Sequence, residues 1–418
     1  MKRWFLLLWL LLCSLGFMQP ATALAAQDIS VTMNGLPVSF DVKPMIQNDR
    51  TLVPFRALAE ALHVEVTWDA ASQTIQAQNG SKAITLQIGN QTANLNGTPV
   101  SLDVPPQIIN GRTLVPLRFF SESFNCSVTW NQVANEIAIG SQSKLEVIGF
   151  YALGDQKTSS WTNLFGTPFP EIAKGNTDLV KTLALGWYSL DQEGNLLTKS
   201  TTGWQRPDSY EQVLTAAKDL QLKTQMVVHV TDEQLVLTNL LANEAAMQRA
   251  VSDIVQEAKN YRGVNLNLEG LGLTDQGEQL TQVRASFVKF VSLLSQELKS
   301  AQVELSLSIH APNSAYRGYD YQKLAPLVDE IIIMAYDYGS KPEPVQLVEQ
   351  AVQQAKAMVP AEKLVLGISL PSENETSLIT KVAIAQRYGL KGIALWRLGL
   401  VSQDMWSNLR TTITTEAN

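Results

Sequence analysis

From Lys144 to the end of the chain, eight runs of strand character alternate with helical patterns, and that rhythm admits few architectures. The candidate strands are Leu145–Tyr151, Leu183–Tyr188, Thr224–His229, Gly263–Glu269, Val303–His310, Glu330–Tyr336, Lys363–Leu370 and Gly392–Leu398. Helical patterns lie between them. In one, from Gln279 to Ser300, Val283, Phe287, Phe290, Leu294 and Leu298 recur at helical spacing; others run through Tyr210 to Leu220, Leu378 to Arg387 and Asp404 to Thr414. Eight such units in about 270 residues have the size of an α/β fold of the (β/α)8 TIM-barrel kind. A doubly wound open sheet is the rival, but no glycine-rich phosphate turn follows the first strand.

The fourth strand is the most informative. In Gly263-Val264-Asn265-Leu266-Asn267-Leu268-Glu269-Gly270, apolar and polar residues alternate with the period of a strand. In a barrel, Asn265, Asn267 and Glu269 would face the interior. Unpaired buried polar groups are costly, so three of them on one face point to a site. Glu269 stands where the strand ends, the position at which barrel enzymes carry their catalytic groups.

Ahead of the barrel pattern, two segments match at an offset of 62 residues. Arg50-Thr51-Leu52-Val53-Pro54-Phe55-Arg56 recurs as Arg112-Thr113-Leu114-Val115-Pro116-Leu117-Arg118, Val66-Thr67-Trp68 as Val128-Thr129-Trp130, and Asn34-Gly35 as Asn96-Gly97. Matches this dense at one offset mean a duplicated unit. Each copy reads as a hairpin turning at Asn-Gly, a short helix starting at the proline, and two further strands. Cys126 stands where the first copy has Val64 and reads as a core thiol. His63 has no histidine counterpart in the second copy and reads as a surface residue. The boundaries expected are residues 1–26 for a signal peptide, 27–140 for the duplicated α+β unit and 141–418 for the barrel, with the polar joint Gly140-Ser141-Gln142-Ser143 between the last two.

The signal-peptide reading rests on Lys2 and Arg3, an apolar run from Trp4 to Met18, and small residues up to Ala25 and Ala26. An uncleaved N-terminal anchor is the alternative, though the run is short for a full span. Loss of the segment removes Cys13 and leaves Cys126 without an internal disulfide partner. It also removes Lys2 and Arg3, taking the formal charge from -7 to -9. Basic clusters are absent, so no nucleic-acid partner is expected. A chain without further membrane spans, monomeric, and secreted or associated with the cell wall or spore envelope, is the expectation.

The predicted strand ends gather Phe150-Tyr151, Trp187-Tyr188, His310, Tyr336-Asp337 and Trp396 around the polar face of the fourth strand. Aromatic faces can cover pyranose rings while amides and carboxylates take the hydroxyls and any acetamido group, which describes a sugar cleft. Trp396, Tyr151 and Trp187 are candidate contacts, with barrel packing as the alternative. His310 is a further candidate, with a structural hydrogen bond as its alternative.

These landmarks occur in the order found in glycoside hydrolase family 18, the chitinase family, which the segment 144–413 resembles. The fourth strand resembles the signature Asp-Gly-x-Asp-x-Asp-x-Glu, Met334-Ala335-Tyr336-Asp337 resembles Met-x-Tyr-Asp, and Gly392-Ile393-Ala394-Leu395-Trp396 resembles the strand whose tryptophan floors the −1 subsite. The run Gly318-Tyr319-Asp320-Tyr321 also fits. The duplicated unit resembles the stalk domain named from the N-terminal region of copper amine oxidases, yet it holds no His or Cys cluster of metal-ligand type. No copper, other metal or cofactor is expected. The stalk reads as a spacer or wall-association module, with carbohydrate binding as an alternative.

The resemblance implies a retaining, substrate-assisted glycosidase in which the substrate's acetamido oxygen is the nucleophile. It makes Glu269 the general acid, Asn267 its neighbour, Tyr336 the ligand of the acetamido group, and Asn265, Asp337 and Trp396 substrate-binding residues. The signature is altered, however: its three Asp positions are Arg262, Asn265 and Asn267. Asn267 can accept a hydrogen bond but cannot supply a negative charge to an oxazolinium. A slower enzyme, or one with a lower pH optimum, is expected. No room exists after the seventh strand for the small domain that deepens many chitinase clefts. Short family members resemble spore and cell-wall enzymes that cut β-1,4 bonds after N-acetylglucosamine. Peptidoglycan is therefore the expected partner, with chitin or chitooligosaccharide hydrolysis, or glycan binding without catalysis, as alternatives.

Overall fold

A computed structural model describes residues 28–152, 158–199 and 204–414. The segment expected to be a signal peptide, residues 1–26, lies outside them. The Asn-Gly turns form as read. Asn34 and Gly35 have φ of 47° and 81°, and Asn96 and Gly97 have 51° and 85°. Positive φ at both central residues is what the two-residue hairpin turn demands and what this dipeptide tolerates. The helices Phe55–Ala61 and Leu117–Ser123 start one residue after the prolines, which sit at the N-cap rather than inside the first turn.

The two copies are related by an approximate two-fold axis. Strands Arg50–Pro54 and Arg112–Pro116 pair antiparallel with Val53 directly opposite Val115, its own repeat equivalent. The same axis exchanges two ion pairs, Arg50 with Asp103 and Arg112 with Asp41. The symmetry breaks at one strand. In the first copy Lys82–Gln87 lies between Thr74–Asn79 and Thr92–Leu95. In the second copy its counterpart would begin at Lys144, but the chain leaves there for the barrel. The N-terminal strand Ser30–Met33 fills the gap by pairing parallel with Glu136–Gly140, so the ends of the unit close on each other. Cys126 is 7% exposed, and burial pushes its thiol up to about 11, as a core residue requires.

The barrel strands are β1 (Glu146–Tyr151), β2 (Thr182–Leu190), β3 (Lys223–Thr231), β4 (Gly263–Glu269), β5 (Glu304–His310), β6 (Glu330–Met334), β7 (Leu364–Ser369) and β8 (Gly392–Trp396). All pair parallel in sequence order, and β1 pairs with both β2 and β8, which closes the sheet. A small interior core of Ile148, Phe150, Ala184, Val227, Ile332, Val365 and Ala394 fills the barrel, with Trp396 packed against it. The larger core lies between strands and helices.

The duplicated unit is docked rather than hung on a loose joint. Ser141 exchanges hydrogen bonds with Asn34, and Ser143 bridges to Ile413. The helix Glu375–Arg387 receives the unit: Asn34 Nδ2 donates to Gln386 Oε1 (2.7 Å), and Arg387 donates to the Pro37 carbonyl (2.7 Å). His63 is exposed as expected, but its Nε2 reaches the Gln386 carbonyl at 2.7 Å, so it belongs to this junction. Leu36, 1% exposed, comes from the duplicated unit and buries itself in the barrel's outer core. Leu36→Ala should cost about 2–5 kcal/mol, as large-to-small core changes do. Because the loss falls on the junction, calorimetry should show the single melting transition splitting into two.

Candidate active site

Strand parity decides which side chains reach the barrel mouth. On β4, Val264, Leu266 and Leu268 are fully buried in the outer core. Asn265, Asn267 and Glu269 point inward, as the alternation requires. Asn265 is consumed by structure: it donates to Ser306 Oγ (2.8 Å) and accepts from Ser308 Oγ (2.9 Å), both on β5. It is 0% exposed, with both side-chain polar atoms engaged by β5. Asn267, one pleat higher, is 2% exposed, and its Oδ1 has no hydrogen-bond partner among the described residues. Glu269 at the strand end has a side chain 23% exposed.

The same parity puts two of the candidate aromatics on the packing side of their strands. Tyr151 and Trp187 are 0% and 1% exposed and belong to the outer core. They meet each other edge-on at 6.3 Å, and Trp187 meets Tyr210 at 6.1 Å. They pack in the outer core, because their strand neighbours Phe150 and Gly186 take the inward positions, and Tyr151 Oη and Trp187 Nε1 are buried there without a partner among the described residues. Trp396 does face inward, tilted against Phe150 at 5.0 Å.

His229 and Trp204 were not anticipated. His229 lies on the inward face of β3, in register with Asn267, and its Nε2 lies 3.4 Å from Glu269 Oε1. Trp204 leans over the mouth at 5.0 Å from Trp396 and 5.8 Å from His229. Its place requires Gly186, where a Cβ would fall 1.4 Å from Trp204 Cζ3. Only the rarity of histidine, three in the chain, marked His229 beforehand. His310 stacks on Tyr316 at 4.0 Å, and burial holds its imidazole below the ordinary value against the pull of Glu269. The run Gly318–Tyr321 buttresses the site: Tyr319 donates to the Leu268 carbonyl (2.7 Å), and Tyr321 to that of His310 (3.0 Å).

Tyr336 and Asp337 follow β6. Burial first, then Glu269 and Asp337, push the Tyr336 hydroxyl well above the usual tyrosine range, so it is a donor. Asp337 has φ of 64°, and its carboxyl is raised by desolvation, then by Glu343 and Glu269, against Lys341. At the other end of the barrel, Arg262 pairs with Glu304 (2.7 Å), so the signature's first position is structural here. Behind the Tyr336 turn, Lys381 and Glu373 form a buried pair at 3.4 Å, their side chains 3% and 1% exposed. Lys381→Met would strand the Glu373 charge and should cost about 3–5 kcal/mol in urea denaturation.

Residues 147–373 match Glycosyl hydrolases family 18, and residues 32–139 match the Copper amine oxidase N-terminal domain. The chain is 23% identical to the cortical fragment-lytic enzyme of Bacillus anthracis over 181 residues, 37% of this chain and 40% of that one. It is 19% identical to the uncharacterized glycosylase YvbX of Bacillus subtilis (strain 168) over 343 residues, 63% of this chain and 94% of that one. The spore cortex-lytic enzyme SleL of Bacillus megaterium QM B1551 superimposes with a TM-score of 0.53 at 15% identity, covering 76% of this chain and 81% of that one. That likeness shows the fold. The match spans well under two thirds of the length of the B. anthracis enzyme.

Proposed function

Because the chain belongs to glycosyl hydrolases family 18, we propose that it is an exported glycosidase cleaving β-1,4 bonds after N-acetylglucosamine in peptidoglycan. The observation that carries this reading is the Asn267 amide oxygen, buried and unpartnered among the described residues, one pleat below Glu269. An acceptor left free at such a depth is costly unless a ligand donor fills it, and an acetamido N–H fits.

In the proposed reaction Glu269 gives its proton to the glycosidic oxygen, and the bond to the leaving sugar breaks toward that oxygen. The acetamido oxygen closes on the anomeric carbon to form an oxazolinium, which water then opens with retention. Asn267 Oδ1 accepts from the acetamido N–H. The Tyr336 hydroxyl donates to the acetamido oxygen and orients it. Trp396, with Phe150 beneath and Trp204 beside it, supplies an apolar floor for the sugar.

Two features support peptidoglycan over chitin. One relative is named a cortical fragment-lytic enzyme. Between β7 and β8, the connection is a short turn and the single helix Glu375–Arg387, which leaves the mouth open to a cross-linked polymer. The duplicated unit would assist at the wall. A groove of about 600 Å³ crosses its two copies and is lined by Ile46, Arg118, Glu122 and Trp130. Among the described residues no helix is long and apolar enough to cross a membrane. Glycan binding without turnover is the second reading, favoured by the missing charge at Asn267.

Incubation of the protein with cortex or wall peptidoglycan, followed by mass spectrometry, should reveal new N-acetylglucosamine reducing ends. Glu269→Gln should lower their rate of release by about 10²–10⁴-fold, the usual contribution of a general acid. Chitooligosaccharide cleavage without muropeptide release would instead favour chitin, and binding without product would leave only the second reading. Asn267→Asp should raise the rate about tenfold, or ~1.4 kcal/mol of barrier, by restoring charge near the oxazolinium.

A further inference from the structure

We propose that Glu343 is a positioning residue of this site, its buried carboxylate clamping the main chain of the Tyr336-Asp337-Tyr338 turn so that Tyr336 and Asp337 face the sugar. The role rests on the proposed reading of Tyr336 as ligand of the acetamido group.

Glu343 is 4% exposed. Its Oε1 accepts from the Asp337 N–H (3.0 Å) and its Oε2 from the Tyr338 N–H (3.1 Å). Two consecutive amides converging on one carboxylate make a charge-assisted anion nest. The clamp falls where it is needed, because Asp337 is held in the left-handed region that a non-glycine residue rarely adopts. Lys381, itself 2% exposed, donates to the Glu343 main-chain oxygen at 2.7 Å and thereby fixes the base of the clamp. At the far side, Tyr338 Oη donates to Asn313 Oδ1 (2.8 Å).

Burying a carboxylate and an ammonium is an expensive way to close a surface turn, since both lose hydration. A main-chain carbonyl or a serine would close it more cheaply. The arrangement makes sense where the turn carries groups that must be held in place. The charge also acts on its neighbour. Asp337 is surrounded by Glu343, Glu269 and Lys341, and the two carboxylates reinforce desolvation in raising its carboxyl. Glu343 therefore holds the direction of Asp337 and adds to the desolvation that raises its carboxyl. The helix Glu375–Arg387 carries Lys381 behind this clamp and receives the duplicated unit through Gln386 and Arg387. One element thus supports both.

The test uses the full chain with Glu343→Ala and Glu343→Gln. Lys381 bonds the main-chain oxygen of residue 343, so both variants keep that bond and the Lys381–Glu373 pair. In Glu343→Ala, hydrogen exchange at the Asp337 and Tyr338 amides should accelerate at least about tenfold while β6 stays protected. On a soluble N-acetylglucosamine oligosaccharide, kcat should fall at least about tenfold with KM changed less than about threefold. Glu343→Gln, which keeps one acceptor oxygen, should recover part of kcat. It should also shift the acidic limb of the pH profile downward, because a like charge beside Asp337 has gone. Faster amide exchange with unchanged kinetics would overturn the proposal. So would equal losses in both variants at every pH, the mark of general destabilisation. An active wild type with an unaffected Glu343→Ala removes only the positioning role. A wild type that neither cleaves nor binds the oligosaccharide removes the reading of the site, and this role with it.

Discussion

The parallel pairing that closes the barrel is the constraint on which the rest depends. Once β1 bonds to both β2 and β8, every strand has one face inside and one face under the helices. A shift of one residue in any strand would reverse its faces. The β3–β4 register puts His229 level with Asn267, two positions below Glu269, and so brings an imidazole against the carboxylate. The same closure sends Tyr151 and Trp187 outward. Site and core are two outcomes of a single parity.

Polarity inside the barrel is graded along β4. At the bottom, Asn265 is fully answered by Ser306 and Ser308. At the middle, the Asn267 Oδ1 has no partner among the described residues, and at the top Glu269 reaches solvent. Hydrogen-bond satisfaction therefore falls as the mouth is approached, and a ligand has most to supply where the protein supplies least. The buttresses follow this gradient: Tyr319 holds the β4 end, Tyr321 the β5 end, and Glu343 the turn after β6.

The duplicated unit has its own closure, of a different kind. Its copies share a two-fold axis at Val53 and Val115, yet the second copy surrenders a strand so that the chain can enter β1. The N-terminal strand repairs the gap. With Leu36 inserted in the barrel's outer core and Asn34 bonded to Gln386, the two units form one packed body across the junction. A name such as stalk describes its sequence better than its packing.

Much was legible in the chain itself. Periodicity located the eight barrel strands to within a few residues, because alternation and run length are local consequences of strand geometry. The repeat at 62 residues announced the paired units, and the Asn-Gly turns followed from the φ values those residues tolerate. The inward polar face of β4, with Glu269 at its end, was readable for the same reason. Tertiary structure alone decided what depends on distant neighbours. It spent Asn265 on the serines of β5, buried Tyr151 and Trp187, brought His229 to Glu269, and joined Glu343 to amides across a turn. Sequence spacing states which face a side chain takes on its own strand. It is silent on what the facing strands and loops will offer, and those partners determine whether a polar group is a strut or a free hand for the ligand.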